Sequence, residues 1–167
     1  MNYKDILKNG KSKIAVWGTG YIGLSTMAFF SKSKIKCVGY DIDKKKVAVI
    51  NSGKLPIKEL KDWFGFDIKN SVNKKYLTAT SNHNIFDDNS FNVHFIAIPT
   101  EKNGKPFFDI LFNVLEKLIK IVRTKNMIKP DIIIKLNFTQ QCSDKKIISY
   151  YKKHNLQQSK DFINGFA

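Results

Sequence analysis

The sequence predicts an α/β fold in a single domain, with a mostly parallel sheet and helices on both of its faces. Segments of strand and helix character alternate along the chain, and the strand segments are apolar and rich in β-branched residues, as buried parallel strands are. The 167 residues are 43% hydrophobic and 26% charged, which suits one globular domain with its own core. We expect an N-terminal extension over residues 1–12 and the domain over residues 13–167.

Five strands and five helices are predicted from the apolar periodicity and from the glycines and prolines between segments. The strands are Ile14–Trp17, Ile35–Tyr40, Leu77–Thr80, Val93–Ile98 and Asp131–Leu136. The helices are Tyr21–Ser31, Asp43–Asn51, Lys58–Phe64, Phe107–Lys125 and Asp144–Lys153.

Three glycines directly follow the first strand, in the stretch "VWGTGYIGLS". Gly18, Gly20 and Gly23 have G-x-G-x-x-G spacing where the strand turns into a helix. In this arrangement the first glycine permits a tight turn, the second lets a pyrophosphate approach the backbone, and the third lets helix and strand pack closely. The free N–H groups at the helix start would then bind phosphate. The motif alone is weak evidence, since three glycines can also form an ordinary turn.

A carboxylate at the end of the second strand strengthens this interpretation. Asp41 follows the glycines by about 20 residues, where dinucleotide-binding folds have an acidic residue that accepts hydrogen bonds from the adenosine ribose. A carboxylate there disfavours the 2′-phosphate of NADP, although the neighbouring Lys44, Lys45 and Lys46 weaken that argument. The sequence therefore predicts a Rossmann-type, doubly wound domain that binds NAD. The alternative is a set of turn glycines and a surface aspartate.

The formal charge of +15 raises the question of a nucleic-acid partner. Arg123 is the only arginine among the 29 basic residues, and the lysines are scattered along the chain. Specific reading of bases and phosphates favours the guanidinium fork of arginine. We therefore expect a solvated lysine surface and no specific nucleic-acid partner.

Little in the sequence indicates a membrane, a metal or a catalytic group. The first twelve residues lack the apolar core of a signal peptide, and no apolar run approaches the roughly 20 residues needed to span a bilayer. We therefore expect a cytoplasmic protein with no membrane partner. Cys37 and Cys142 lack metal-site spacing, as do His83, His94 and His154, so no metal ligand is assigned. No catalytic residue is assigned either, and His94 is interpreted as a structural histidine of the fourth strand.

The sequence resembles the UDP-glucose/GDP-mannose dehydrogenase family, whose members oxidise nucleotide sugars to uronic acids. The Tyr-Ile-Gly of the glycine turn and the N-S-G-K-x-P-I after the second strand are more specific than the glycines alone. Four segments, which together reach over nearly the whole chain, carry the resemblance: "KIAVWGTGYIGLS" (Lys13–Ser25), "VGYDIDKKKVAVINSGKLPIKE" (Val38–Glu59), "FIAIPTEKNGKPFFD" (Phe95–Asp109) and "IIIKLNFTQQCS" (Ile132–Ser143).

The resemblance implies roles for individual residues. Tyr21 and Ile22 would offer backbone N–H groups to the pyrophosphate of NAD, Asp41 would accept the ribose hydroxyls, and Lys46 would assist at that ribose. Thr100 would line the cofactor site. The implied reaction converts a sugar C6 alcohol to a carboxylate with two NAD, through a cysteine-bound intermediate, in nucleotide-sugar metabolism and polysaccharide biosynthesis.

The chain also departs from the family pattern. The family's K-S-T-x-P-x-G after the fifth strand is here K-L-N-F-T-Q-Q, so Asn137 stands where a catalytic-site threonine is usual; we keep it as a candidate cofactor-site residue. The family's glutamate, lysine, asparagine and nucleophilic cysteine lie further along its chains, in the part that holds the nucleotide sugar. A nucleotide-sugar partner is therefore expected only together with such a part. The resemblance also allows a homodimer, since family dimers form largely through a central helix that follows the matched region.

Three functions remain open from the sequence. The chain is the cofactor half of a nucleotide-sugar dehydrogenase, or an NAD-binding module without turnover, or, least favoured, a lysine-rich nucleic-acid binder with a Rossmann fold.

Overall fold

The computed structural model of the chain describes residues 12–124, 131–134, 140–155 and 163–166. The strands are β1 Lys13–Trp17, β2 Cys37–Tyr40, β3 Leu77–Thr80, β4 Phe91–Ile96, β5 Glu101–Lys102, β6 Lys105–Pro106, β7 Asp131–Ile134 and β8 Ile163–Phe166. The α-helices are α1 Tyr21–Lys32, α2 Lys44–Asn51, α3 Leu60–Phe64, α4 Lys69–Asn73, α5 Asp109–Thr124 and α6 Gln140–Lys153, and a 3-10 turn covers His83–Asp87.

Six of the strands form one parallel sheet in the order β3-β2-β1-β4-β7-β8, while β5 and β6 form a separate antiparallel hairpin. From β1 the chain extends the sheet first through β2 and β3 on one side, and then through β4, β7 and β8 on the other. This is a doubly wound topology, in which the connections diverge between β1 and β4 and open a crevice at the carboxyl ends of those strands. The predicted fold class is confirmed.

Both faces of the sheet carry a hydrophobic core, as the residues of β1 show. Ile14 and Val16 pack in one cluster with apolar residues of α1, α2 and α3. Ala15 and Trp17 pack in the other cluster with apolar residues of α5 and α6. Since successive side chains of a strand point to opposite faces, β1 is a central strand with helices on both sides, which explains its unbroken apolar run.

Strand boundaries differ from the predicted ones where an apolar run continues past the hydrogen-bonded ladder. β4 begins and ends two residues before the predicted Val93–Ile98. The N–H of Ala97 still donates to the Trp17 carbonyl at 2.8 Å, after which the chain leaves the sheet and its apolar residues face the cleft described below. β2 similarly begins at Cys37 and not at Ile35.

The second helix has the ends that its sequence indicates. Asp43 is the N-cap of α2, and its carboxylate accepts hydrogen bonds from the N–H groups of Lys45 and Lys46. Beyond Ser52, Gly53 has a φ of +78°, and the N–H of Lys54 reaches back to the Val49 carbonyl. The predicted end of this helix at Asn51 is confirmed, and a glycine cap follows it.

Three later helices begin at other residues than predicted. α3 begins at Leu60 and not at Lys58. α5 begins at Asp109 and not at Phe107, because the N–H of Phe107 donates to the Thr100 carbonyl and closes the β5–β6 hairpin. α6 begins at Gln140, four residues before the predicted Asp144, and the two glutamines there are good helix formers. The predicted end of the fourth helix at Lys125 and the predicted end of the fifth strand at Leu136 lie outside the described residues.

Four short elements were not predicted: α4, the 3-10 turn, the β5–β6 hairpin and β8. All are two to five residues long, too short to display the periodicity on which the prediction relied. None of the helices in the described part of the chain is both long and apolar enough to cross a membrane.

Candidate cofactor site

A cleft of about 870 Å³ lies at the carboxyl ends of β1, β2 and β4, where the doubly wound topology opens its crevice. Three walls enclose it. One is the glycine turn with Gly18, Gly20, Tyr21 and Ile22; the second is the end of β2 from Tyr40 to Asp43, with Lys46; the third combines Ala97, Ile98 and Pro99 after β4 with the facing side of α5. Six of the nine predicted site residues therefore line one cleft.

The three glycines of the turn occupy three different environments. Gly18 has a φ of +92°, and a Cβ there would lie 2.5 Å from the Ala97 carbonyl oxygen. A Cβ on Gly23 would lie 1.9 Å from the Gly18 carbonyl oxygen, so this glycine lets α1 pack against the turn. A Cβ on Gly20 would meet nothing within 4 Å. Gly20 thus borders open space at the cleft, where the backbone is accessible to a ligand.

The first turn of α1 points into this open space. Gly20 is the N-cap and supplies no side-chain cap, and the first turn has no acidic residue. The partial positive charge of the helix N-terminus, together with the backbone N–H groups of Tyr21 and Ile22, is therefore available to an anion in the cleft. These are the properties of a pyrophosphate cradle, so the residues present fit the dinucleotide.

Asp41 is held at the end of β2 by donors from three directions. Its Oδ2 accepts from the Thr19 N–H at 3.1 Å, from the Thr19 hydroxyl at 2.7 Å and from the Lys46 ammonium at 2.8 Å. Its Oδ1 accepts from the Asp43 N–H at 3.0 Å. The carboxylate is 8% exposed and borders the cleft. Its position and orientation are thus set before any ligand binds.

The pKa of Asp41 is the result of two opposing effects. Burial disfavours the charged form and by itself would raise the pKa. The hydrogen bonds from Lys46, from the Asp43 N–H and from both Thr19 donors outweigh it, and they hold the pKa below its ordinary value of 3.8. Asp41 is therefore a carboxylate at neutral pH and can accept hydroxyl hydrogens.

Local sequence places Lys46 beside Asp41. Because Asp43 caps α2, Lys46 is the third residue of that helix, and its side chain reaches back over the preceding turn to Asp41. Lys46 is partly buried at 28% side-chain exposure. Lys46 and Asp41 thus form an ion pair beside the cleft. Their role at the ribose stays a prediction.

Two functional features were missed by the sequence interpretation. Thr19 is 0% exposed and contributes two of the four donors to Asp41; its identity, threonine between two motif glycines, gave no signal of this contact. The sequence interpretation assigned the α5 wall to no site. Its lining residues have the i, i+3, i+4, i+7 spacing of one helix face, which could have indicated a shared surface: Ile110, Asn113, Val114 and Lys117.

The remaining predicted residues lie elsewhere. Gly23 lies behind the turn, where it allows close packing. Thr100 is 2% exposed and its side chain does not line the cleft, whose wall at this point is the preceding Pro99. Asn137 lies outside the described residues. A contact of Thr100 or Asn137 with the cofactor stays a prediction.

His94 and Cys37 are buried and do not line the cleft. His94 is 0% exposed in β4, and its Nδ1 accepts a hydrogen bond from the indole of Trp17 at 3.2 Å. Cys37 is 1% exposed, and burial raises the pKa of its thiol far above the ordinary value, so it stays protonated. A protonated, enclosed thiol is a poor nucleophile. The predicted structural role of His94 agrees with these surroundings.

Comparison with known proteins agrees with this geometry. Residues 12–162 match the family model described as "UDP-glucose/GDP-mannose dehydrogenase family, NAD binding domain". The chain is 35% identical over 125 residues to a UDP-N-acetyl-D-mannosamine dehydrogenase of Campylobacter jejuni, covering 72% of this chain and 28% of that protein. It is 37% identical over 127 residues to a UDP-glucose 6-dehydrogenase of Campylobacter jejuni, covering 74% of this chain and 30% of that protein.

Solved structures show the same fold. A ternary complex of GDP-mannose dehydrogenase from Pseudomonas aeruginosa has a TM-score of 0.75 at 20% identity, over 92% of this chain and 35% of that chain. A UDP-D-ManNAc dehydrogenase from Pyrococcus horikoshii has a TM-score of 0.68 at 27% identity, over 93% of this chain and 35% of that chain. The chain spans about a third of the length of these relatives. It belongs to the UDP-glucose/GDP-mannose dehydrogenase family and corresponds to that family's NAD-binding domain.

Proposed function

We propose that this chain binds NAD across the cleft as the cofactor-holding part of a UDP-sugar dehydrogenase. The observation that carries the proposal is the pairing of an open glycine turn at Gly20 with a fixed, ionised Asp41 in one cleft. The N–H groups of Tyr21 and Ile22 would bind the pyrophosphate, and Asp41 would accept a hydroxyl of the adenosine ribose.

This placement assigns the two ends of the cleft. With the adenosine ribose at the end of β2, the nicotinamide would lie on the β4 side, where Ala97, Ile98 and Pro99 form the wall. At the adenosine end the base would lie between the end of β2 and α5. Ile42 and Ile110 offer apolar contact there; both are exposed, so a base that covers them would gain from their burial.

The reaction we propose for the complete enzyme oxidises a sugar C6 alcohol to a carboxylate. NAD supplies a hydride acceptor, and two NAD are consumed per sugar, with water providing the second carboxylate oxygen. The described residues of this chain contribute binding and orientation to that reaction. Because Cys37 is enclosed and protonated, we do not assign the covalent step to it. We further propose that the protein is cytoplasmic and that its product supplies polysaccharide biosynthesis.

A second candidate is an NAD-binding module without turnover. The observation in its favour is the sequence K-L-N-F-T-Q-Q at residues 135–141, which replaces the serine, threonine, proline and glycine usual in the family. Both candidates share the cofactor and the cleft, and they differ in whether a sugar-binding part acts together with this domain.

Calorimetric titration of NAD into the Gly20→Val variant tests the site. The added side chain enters open space, so the fold should persist, while the pyrophosphate position is filled. We expect NAD affinity to fall by 100-fold or more with an unchanged circular dichroism spectrum. Asn73→Val, at an exposed position of α4 that does not line the cleft, is the matched control and should bind NAD normally. Normal affinity in a folded Gly20→Val variant would refute the assigned site.

A further inference from the structure

The two oxygens of the Asp41 carboxylate are used unequally. Among the described residues Oδ2 receives three hydrogen bonds, and Oδ1 receives one, from the Asp43 N–H. A carboxylate oxygen has two lone pairs, so Oδ2 with three donors is fully used. Oδ1, with one donor, has a lone pair left for one further donor. If Lys46 keeps its place, Asp41 can accept one ribose hydroxyl and not a pair.

The ammonium of Lys46 lies beside Asp41, where the ribose is proposed to bind. Its Nζ lies 2.8 Å from Oδ2, and the side chain borders the cleft. An ammonium group has three N–H donors, and Asp41 takes one of them. Since Asp41 is its hydrogen-bond partner among the described residues, two N–H donors are left for a ligand oxygen. They lie beside the carboxylate that by itself would repel an anion.

The Lys46 ammonium offsets negative charge in a cleft whose described lining has more carboxylates than ammonium groups. Three carboxylates line it, those of Asp41, Asp43 and Asp109, against two ammonium groups, those of Lys46 and Lys117. NADP differs from NAD by a 2′-phosphate on the adenosine ribose, the group that meets the residue at the end of β2. Asp41 alone would exclude this phosphate. Lys46 neutralises the carboxylate and offers a charge-assisted hydrogen bond in the same place.

We propose that Lys46 is a specificity-determining residue that narrows the preference of this site for NAD over NADP. The inference rests on the proposed function, in which the adenosine ribose lies at Asp41. NAD is still bound more tightly, because Oδ1 repels the phosphate, but NADP is bound measurably. Asp41 thus disfavours the 2′-phosphate and Lys46 favours it. Replacement of either residue alters the ratio of the affinities for NADP and NAD.

The test is calorimetric titration of NAD and NADP into the unaltered chain and into Lys46→Met. Methionine keeps an unbranched apolar chain of similar length without the charge. We expect the ratio Kd(NADP)/Kd(NAD) to rise about tenfold, since a charge-assisted hydrogen bond to phosphate is lost and Asp41 is left without its counter-ion. Lys45→Met is the matched control; Lys45 is the adjacent residue of α2, is exposed and does not line the cleft. Its ratio should change less than twofold.

A second measurement compares the salt dependence of the two chains. Salt weakens both the repulsion of the 2′-phosphate by Asp41 and its attraction by Lys46, so in the unaltered chain, where the two groups oppose each other, the ratio Kd(NADP)/Kd(NAD) should change little as ionic strength increases. In Lys46→Met repulsion by Asp41 dominates, and the ratio should fall with salt.

The outcomes separate the inference from the function on which it rests. A ratio that rises less than fivefold in Lys46→Met, or NADP binding too weak to detect in the unaltered chain, overturns the inference while the NAD site stands. A ratio that falls with salt as steeply in the unaltered chain as in Lys46→Met overturns it too. Absence of NAD binding to the unaltered chain overturns both.

Discussion

Replacing Thr19 with valine should destabilise the protein through Asp41. Valine has nearly the shape of threonine, so at this fully buried position no cavity forms, and what is lost is the hydroxyl that donates to Oδ2 at 2.7 Å. Hydrogen bonds to charged groups contribute about 1.5–3 kcal/mol to stability. We therefore expect the free energy of unfolding in urea at pH 7 to fall by about 1.5–3 kcal/mol in Thr19→Val.

Thr26 provides a matched control on the adjacent helix. Its hydroxyl donates to the Ile22 carbonyl at 2.9 Å, so the acceptor is neutral. Bonds of that kind contribute about 0.5–1.5 kcal/mol, and Thr26→Val should cost correspondingly less. Both variants remove one hydroxyl and add one methyl group, so the difference between them reflects the charge of the acceptor together with the deeper burial of Thr19.

A double-mutant cycle with Asp41→Asn isolates the contact. Asparagine keeps an acceptor but removes the charge, so Thr19→Val should cost about 1 kcal/mol less in that background than in the unaltered chain. Thr26→Val should cost the same in both. The reasoning is refuted if Thr19→Val is no more costly than Thr26→Val, or if its effect is additive with Asp41→Asn to within about 0.5 kcal/mol.

Two further predictions concern acid stability and catalysis. Because the folded pKa of Asp41 lies below its ordinary value of 3.8, its ionisation stabilises the fold fully above that value and ceases to do so as pH falls through the folded pKa. Urea titrations from pH 7 to pH 3 should thus show a constant stability difference between the unaltered chain and Asp41→Asn above about pH 5 that shrinks below about pH 4; a difference that grows on acidification would contradict the assigned shift. The isolated chain should bind NAD but form no NADH with UDP-glucose, UDP-N-acetylmannosamine or GDP-mannose. Positioning of the reacting groups supplies roughly 7–11 kcal/mol of barrier lowering, and we identify no sugar-binding site among the described residues. Sugar-dependent NADH absorbance that disappears in Cys142→Ser would show instead that the active site is complete in this chain.

The elements predicted best are those whose signals lie within one continuous segment. The glycine turn, the start of α1 at Tyr21 and the cap of α2 at Asp43 depend on backbone conformation and on hydrogen bonds over a few residues, and residue type alone indicates them. Five of the six strands of the central sheet were predicted because burial on two faces requires continuous apolar runs. The end of β4 was not, since apolar residues at Ala97 and Ile98 face a cleft and not a neighbouring strand.

By itself the sequence determined the α/β class, the glycine turn and the carboxylate at Asp41, because each is a local pattern with a physical requirement behind it. The tertiary structure decided what surrounds that carboxylate. Parallel pairing of Trp17 with Tyr40 brings the residues after β1 beside those after β2, and only this register allows Thr19 to donate to Asp41 across 22 positions of sequence. The α5 wall likewise joins the cleft through packing on β1 and β4. Such contacts follow from the geometry of the sheet, and no spacing along the chain encodes them.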